Sequence, residues 1–282
     1  MSVTQAPARL TLRDLQATYS RGEKLTMLTA YDVVTAQLLD QAGIEMLLVG
    51  DSLGNVVLGF DTTIPVSLDD MIRHTAAVVR GSRRALVICD LPFGAATEPE
   101  GALKASIRVF QETGCQAVKL EGGLAAAPIV ERLTTQGIPV VAHIGLTPQS
   151  VHQLGGYYRH GKTDATAAYL KESALALQAA GAFAIVLECV VPAVADEITR
   201  ILKIPTIGIG SSSGCSGQVL VINDLIGLSI KPPPQFAQPR ADVAQAIRDA
   251  AAEYLDEVKQ IKNKKEGSCA TGSSLTSETP TP

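Results

Sequence analysis

Eight short apolar runs, most of them followed by an amphipathic stretch, limit what this chain can fold into. The runs are LTMLTAYD (25–32), MLLVGDS (46–52), ALVICDLP (85–92), AVKLEG (117–122), PVVAHIG (139–145), AIVLEC (184–189), IPTIGIG (204–210) and QVLVIND (218–224). Each is apolar nearly throughout, which suits a parallel strand covered on both faces. Helical periodicity follows in LDDMIRHTAAVVRG (68–81), EPEGALKASIRVFQETG (98–114) and DATAAYLKESALALQAAG (164–181). Gly43, Gly114, Gly137 and Gly181 stand where helices should end in a left-handed cap. Eightfold strand–helix alternation predicts an α/β fold, the TIM (β/α)8 barrel. An open doubly wound sheet needs fewer strands and usually a Gly-rich turn after the first, which is absent. The segment TLRDLQATYSRG (11–22) reads as a helix closing the barrel bottom, and 241–265 as a C-terminal helix. On this reading residues 1–8 are a flexible N-terminus, 9–265 the barrel, and the Ser/Thr/Pro/Gly-rich 266–282 a disordered tail.

Composition removes several classes of function. With a formal net charge of -4, 4% aromatic residues and no basic run, nothing favours a nucleic-acid partner. The N-terminus lacks an apolar signal region. The most apolar stretch, AIVLECVVPAVA, is interrupted by Glu188 and Pro192, so no membrane span is expected. The five cysteines, Cys89, Cys115, Cys189, Cys215 and Cys269, form no CxxC pair and read as reduced thiols of a cytoplasmic protein.

The strand ends carry the chemistry. Strand two ends in Asp51, three in Asp90, four in Glu121, six in Glu188, and five ends near His143. In a TIM barrel those ends form the active-site face. Side-chain alternation turns Lys119 and Glu121 inward together, Asp90 with Ile88, and Glu188 with Val186, leaving Cys89 and Cys189 to pack in the helix layer. Clustered acids repel one another, and a hard divalent cation with oxygen ligands, Mg²⁺, resolves the conflict. Simpler roles exist for each residue alone. Asp51 could cap a helix, Glu121 could pair with Lys119, and His143 could be a hydrogen-bonded core histidine. The glycines of IPTIGIGSSSG (204–214) permit close backbone approach to a ligand such as phosphate, or simply make a loose loop.

The segments TAYDVVTAQLLDQAG, LLVGDSLGNVVLGFDTTIPVSLDDMIRHTAAV, CDLPFG, VKLEGG, HIGLTPQSVHQLGGY, ALQAAGAFAIVLECV and GQVLVINDLIG, in this order, resemble the ketopantoate hydroxymethyltransferase family. The resemblance implies a TIM-barrel enzyme of pantothenate biosynthesis, a homo-oligomer, usually a decamer. It implies transfer of a one-carbon unit from methylenetetrahydrofolate to α-ketoisovalerate. It assigns Asp51, Asp90 and Glu121 to one Mg²⁺ per subunit, Ser52 and Lys119, with Asp51 and Asp90, to the oxo acid, and Glu188 to the general base; the apolar strand around Glu188 is itself expected to strengthen it as a base near neutrality. His143 joins the expected substrate contacts. The chain departs from the family's usual pattern at Ser211, Ser212 and Ser216, and after the DLPF motif, where it reads GAAT. Those changes are expected on the active-site face and bear on the folate side. Three rivals remain: another Mg²⁺-dependent oxo-acid lyase or mutase barrel, a Schiff-base aldolase using Lys119, and a barrel that binds oxo acid or folate without turnover.

Overall fold

The computed structural model describes residues 8–269. Eight parallel strands close in chain order into a barrel, β1 pairing with β8. After α1 (Leu12–Ser20) come β1 (Leu25–Thr29), α2 (Val33–Gln41), β2 (Met46–Val49), α3 (Leu53–Val56) and α4 (Leu68–Gly81). Then β3 (Leu86–Asp90), α5 (Pro99–Thr113), β4 (Ala117–Glu121), α6 (Ala127–Thr134) and β5 (Val140–Gly145) follow. The second half holds α7 (Val151–Leu154), α8 (Asp164–Ala179), β6 (Ala184–Glu188), α9 (Pro192–Ile201), β7 (Thr206–Ile209), β8 (Gly217–Leu220), α10 (Ile222–Ile226) and α11 (Val243–Cys269).

Local chemistry sets the helix ends. Thr11 with Asp14, and Ser67 with Asp70, form capping boxes at α1 and α4, each satisfying two amides that the helix start would leave bare. Asp32, expected to end strand one, instead caps α2 by accepting from the amides of Val34 and Thr35. The four expected glycines all have positive φ.

Two apolar layers divide the strands by parity. Val87, Cys89, Val118, Leu120, Ile185 and Leu187 face the helices. Leu25, Met46, Leu86, Ile88, Ala117, Val141, Val186 and Ile207 fill the barrel. From below, Leu15 of α1 joins this inner cluster, so α1 closes the bottom as expected. Burying such a leucine is worth about 1.5–3 kcal/mol. The inner layer ends upward at the rim, where the next inward positions on β3 to β6 are polar.

Three expectations change. QVLVIND was expected to be strand through 224, but β8 stops at Leu220 and Ile222–Ile226 is helical. There the Ile222 amide donates to Thr29 Oγ1, and left-handed Gly227 ends the turn. The C-terminal helix runs past 265 to Cys269; the remainder of the expected tail, and residues 1–7, lie outside the described residues. Finally, β7 and β8 are joined without a helix, by residues 210–216 descending the barrel wall. Ser216 therefore sits at the barrel's lower end, where Thr206, first residue of β7, donates its amide to Ser216 Oγ. Ser212 Oγ donates to Asp196 of α9. Of the three serines, only Ser211, donating to the Val190 carbonyl, stays near the rim.

Candidate active site

Strand register gathers the rim residues. Asp90 lies beside Lys119, Glu121 beside His143, and Gly145 beside Glu188, so the polar groups step up by two residues from Asp90 of β3 to Glu121 of β4, and again from His143 of β5 to Glu188 of β6. The stagger follows the barrel's shear and lets side chains from four strands meet at one height.

At the centre is a buried ion pair. Lys119 Nζ lies 2.9 Å from Asp90 Oδ2, with side chains 6% and 1% exposed, and 3.1 Å from His143 Nδ1. Asp90 Oδ2 also accepts from the Asp51 amide at 3.3 Å. Asp51 lies just past β2, and its carboxylate does not cap α3: Oδ2 accepts from Gln149 Nε2 at 2.9 Å. Glu121 Oε2 accepts from the Gln149 backbone amide at 3.1 Å, and its Oε1 is 3.6 Å from His143 Nδ1. Ser52 Oγ is 2.8 Å from the hydroxyl of buried Tyr31. On the far side, Glu188 Oε2 lies 3.1 Å from His143 Nε2, a contact off the hydrogen-bond line.

The electrostatics follow from burial. Burial pushes Asp90 up to about 7, against the pull of Lys119 and with the help of Asp51. Glu121 is pushed well above the usual carboxylate range by burial, with Asp51 and Asp90 adding repulsion. Burial alone would discharge Lys119, but Asp90, Glu121 and Asp51 more than offset it and hold the ammonium charged. His143 is shifted down, first by burial and then by the Lys119 charge. A neutral His143 accepting from Lys119 at Nδ1 carries its proton on Nε2, toward Glu188.

Two buried carboxylate oxygens, Asp90 Oδ1 and Glu121 Oε1, have no hydrogen-bond partner. Such atoms are costly unless something positive completes them. When ionised, three acids against one ammonium leave two negative charges in excess, the charge of one divalent cation. The donor set is all oxygen, as Mg²⁺ prefers. The residues therefore fit the cation, although among the described residues no three His, Cys, Asp or Glu side chains stand as a preformed cage. Lys119 and Gln149 hold the acids instead.

The sequence-expected residues Asp51, Asp90, Lys119, Glu121 and His143 come together, with Ser52 adjacent through the Asp51 turn and Glu188 reached through His143. Glu188 was expected in the most apolar setting. Its side chain is 16% exposed, more open than Asp90 or Glu121, because it lies at the last position of β6. Cys189 was read as a packing residue but is only partly buried and has φ 50°, a left-handed turn immediately after Glu188. Its amide donates to the Ile209 carbonyl and its carbonyl accepts from His160, and these bonds hold the strained turn. Gly208 packs against Gln218 and Cys215, and Gly210 against Phe236, so this glycine run approaches the chain's own atoms. Sequence reasoning missed Gln149 and Tyr31; only the Pro148 turn marked the former.

Comparison with known proteins fits this geometry. The ketopantoate hydroxymethyltransferase family model matches residues 9–263. The chain is 53% identical over 251 residues to a 3-methyl-2-oxobutanoate hydroxymethyltransferase of Chloroflexus aurantiacus, covering 89% of each chain. It is 50% identical over 260 residues to one of Syntrophus aciditrophicus, covering 92% of this chain and 96% of that one. Among solved structures, a phosphoenolpyruvate phosphomutase from Streptomyces platensis superposes with a TM-score of 0.61 at 13% identity, covering 90% of this chain and 88% of that one. A phosphonopyruvate hydrolase in complex with oxalate and Mg²⁺ gives 0.59 at 14% identity, covering 93% and 91%. These last likenesses are of fold. The match along almost the whole barrel places the chain in the ketopantoate hydroxymethyltransferase family.

Proposed function

We propose that this chain transfers a hydroxymethyl unit from methylenetetrahydrofolate to α-ketoisovalerate, giving ketopantoate, with one Mg²⁺ per subunit held by Asp51, Asp90 and Glu121. What supports it most is the convergence of three acids and a charged lysine on the barrel rim, in a chain 53% identical to a protein named for that activity. Held by Asp51, Asp90 and Glu121, a divalent cation would supply Lewis acidity to the oxo acid. Lys119, held charged, faces the oxygen that becomes negative as the neighbouring carbon loses its proton. Ser52, tied to Tyr31, and His143 flank the oxo acid. Glu188 takes the proton from the carbon next to the keto group. The folate's methylene carbon then bonds to that carbon and to the oxygen of a water molecule, its two bonds to folate nitrogens break, and those nitrogens take up the abstracted proton and one proton of the water.

A Schiff-base aldolase needs a neutral lysine, whereas Asp90, Glu121 and Asp51 keep Lys119 protonated. Packing of Gly208 and Gly210 against the chain's own side chains gives no support to a phosphate site of the mutase kind. Free thiols at Cys89, Cys115, Cys189 and Cys215 support a cytoplasmic setting, and no described helix is long and apolar enough to cross a membrane. Exposed Ile247, Tyr254, Leu255 and Val258 on α11 support a homo-oligomer.

The test is incubation of the purified protein with α-ketoisovalerate and methylenetetrahydrofolate. Ketopantoate should form with Mg²⁺ and stop forming with a chelator. Binding of both compounds without product would favour the non-catalytic reading, and product formed equally with chelator would remove the cation.

The acids also predict how stability depends on pH. Asp90 titrates near 7 in the fold but near ~4 in the unfolded chain, and Glu121 is raised likewise. Between those values the folded protein binds more protons than the unfolded, so stability from these groups falls as pH rises through the window. A cation displaces the same protons. The rise in Tm on adding Mg²⁺ should therefore grow from about pH 5 to about pH 8. A rise that is flat with pH would argue against Asp90 and Glu121 as ligands.

A further inference from the structure

One residue outside the expected set touches three strand ends at once. Gln149 Nε2 donates to Asp51 Oδ2 beyond β2, and to the Leu91 carbonyl beyond β3, both at 2.9 Å. Its backbone amide donates to Glu121 Oε2 at the end of β4, at 3.1 Å. Both side-chain neighbours are acceptors, which fixes the amide's orientation, since only the NH₂ end can serve them. A neutral amide does not balance the acids' charge. Gln149 engages one oxygen of Asp51 through its side chain and one of Glu121 through its backbone amide, and leaves Glu121 Oε1, with Asp90 Oδ1, unpartnered. Outer donors of this kind orient metal-binding carboxylates.

Gln149 rides on the loop between β5 and α8, and both feet of that loop stand on the base strand. At the near foot, the Leu146 amide donates to the Glu188 carbonyl at 2.8 Å. Here Gly145, at φ 97°, is essential: a Cβ would lie 2.2 Å from that same carbonyl oxygen. At the far foot, His160 donates to the Cys189 carbonyl, and Val191 donates back to His160. Between them Gly155 and Gly156 turn with positive φ and nothing within 4 Å of a built Cβ. The loop thus leaves and rejoins the chain beside Glu188, and reaches across the mouth to the acids through Gln149.

We propose that Gln149 is a positioning residue that orients the cation-binding acids and ties cation occupancy to the conformation of the 146–160 loop. The proposal rests on the cation reading above. Its logic is reciprocal: if the docked loop favours cation binding, the cation must favour the docked loop by the same factor. A bound cation then steadies the loop whose feet frame the base, before oxo acid arrives.

The experiment compares the wild-type chain, Gln149→Met and Asp90→Asn without substrates. Mg²⁺ affinity is measured by calorimetry, and amide hydrogen exchange is followed over 146–160 with and without Mg²⁺. Methionine matches glutamine in length but cannot donate, and it leaves the backbone amide to Glu121 in place. In the wild type, Mg²⁺ should slow exchange at 151–158. In Gln149→Met, affinity should fall about 10-fold, and saturating Mg²⁺ should no longer slow exchange there. A purely structural role would loosen the loop equally with and without cation. Wild-type affinity in Gln149→Met, or unchanged cation-dependent protection, overturns the proposal while leaving the cation site standing. If the wild type binds no Mg²⁺, or Asp90→Asn binds it equally well, the cation site itself fails and the proposal with it. Should the methionine variant not fold, Gln149→Ala is judged by the same two readouts.

Discussion

Glu188→Gln should bind α-ketoisovalerate and Mg²⁺ nearly as well as the wild type while losing at least ~100-fold in turnover. The expectation comes from where Glu188 stands. It lies on β6, across His143 from the Lys119–Asp90 pair, and shares no hydrogen bond with Asp51, Asp90 or Glu121. At 16% exposure its carboxylate is open to a substrate arriving from the rim, whereas Asp90 is 1% exposed and locked to Lys119. Of the inward acids it alone is left free to move a proton if the other three hold the cation. Glutamine keeps shape and hydrogen-bonding reach but cannot accept the proton, so the loss should fall on kcat with KM little changed. Since His143 is its only side-chain partner among the described residues, stability should change by less than about 1 kcal/mol. The direct readout is exchange of the α-ketoisovalerate C–H with deuterated solvent. Exchange at the wild-type rate in Glu188→Gln would take the base role from Glu188.

The barrel was legible because parallel strands covered on both faces must be written as apolar runs, and each run here became a strand. Parity was legible for the same reason: once Val118 and Leu120 belong to the helix layer, Lys119 and Glu121 have only the interior left. What failed was decided by partners distant in sequence. Ile222 reads as strand by its neighbours, yet its amide is taken by Thr29 at the opposite end of the chain. The serines at 211, 212 and 216 sit next to a strand end in sequence. A helix-free crossover nonetheless carries Ser216 down to Thr206, so that position belongs to the barrel base and not to the rim.

Asp90, Glu121 and Glu188 could be read because each is the last inward position of its strand, whereas Asp51 stands in the turn just past β2 and was legible only by its place after an apolar run. Gln149 could not, because a glutamine in a loop has no periodicity to betray its direction. Its role depends on a loop whose two feet are fixed by backbone bonds to Glu188 and Cys189. Openness at Glu188 was misjudged for a related reason. Apolar neighbours along a strand report the layer below, and a terminal strand residue looks upward into the mouth.

Lys119→Met should damage stability and catalysis in ways that Mg²⁺ separates. Lys119 Nζ is the positive charge against Asp90 at 2.9 Å, inside a cluster that also holds Asp51 and Glu121. Removing one partner of a buried pair strands the other and typically costs about 3–5 kcal/mol. Without cation, Asp90 and Glu121 then have to hold protons more tightly still, so the deficit in Tm against the wild type should widen as pH rises. Added Mg²⁺ supplies positive charge to the same oxygens and should restore much of the lost Tm. Turnover should stay down by about 100-fold or more, because the donor facing the developing oxyanion is gone. His143 gives an independent check. The Lys119 charge helps hold its proton affinity down, and Glu121 and Glu188 lie beside its two nitrogens. Loss of that charge should move the imidazole titration of His143 upward, as followed by NMR in the cation-free protein. If Lys119→Met were fully stable without Mg²⁺ and His143 titrated as before, the lysine would not be balancing the acids, and the charge argument for a divalent cation at this rim would lose its basis.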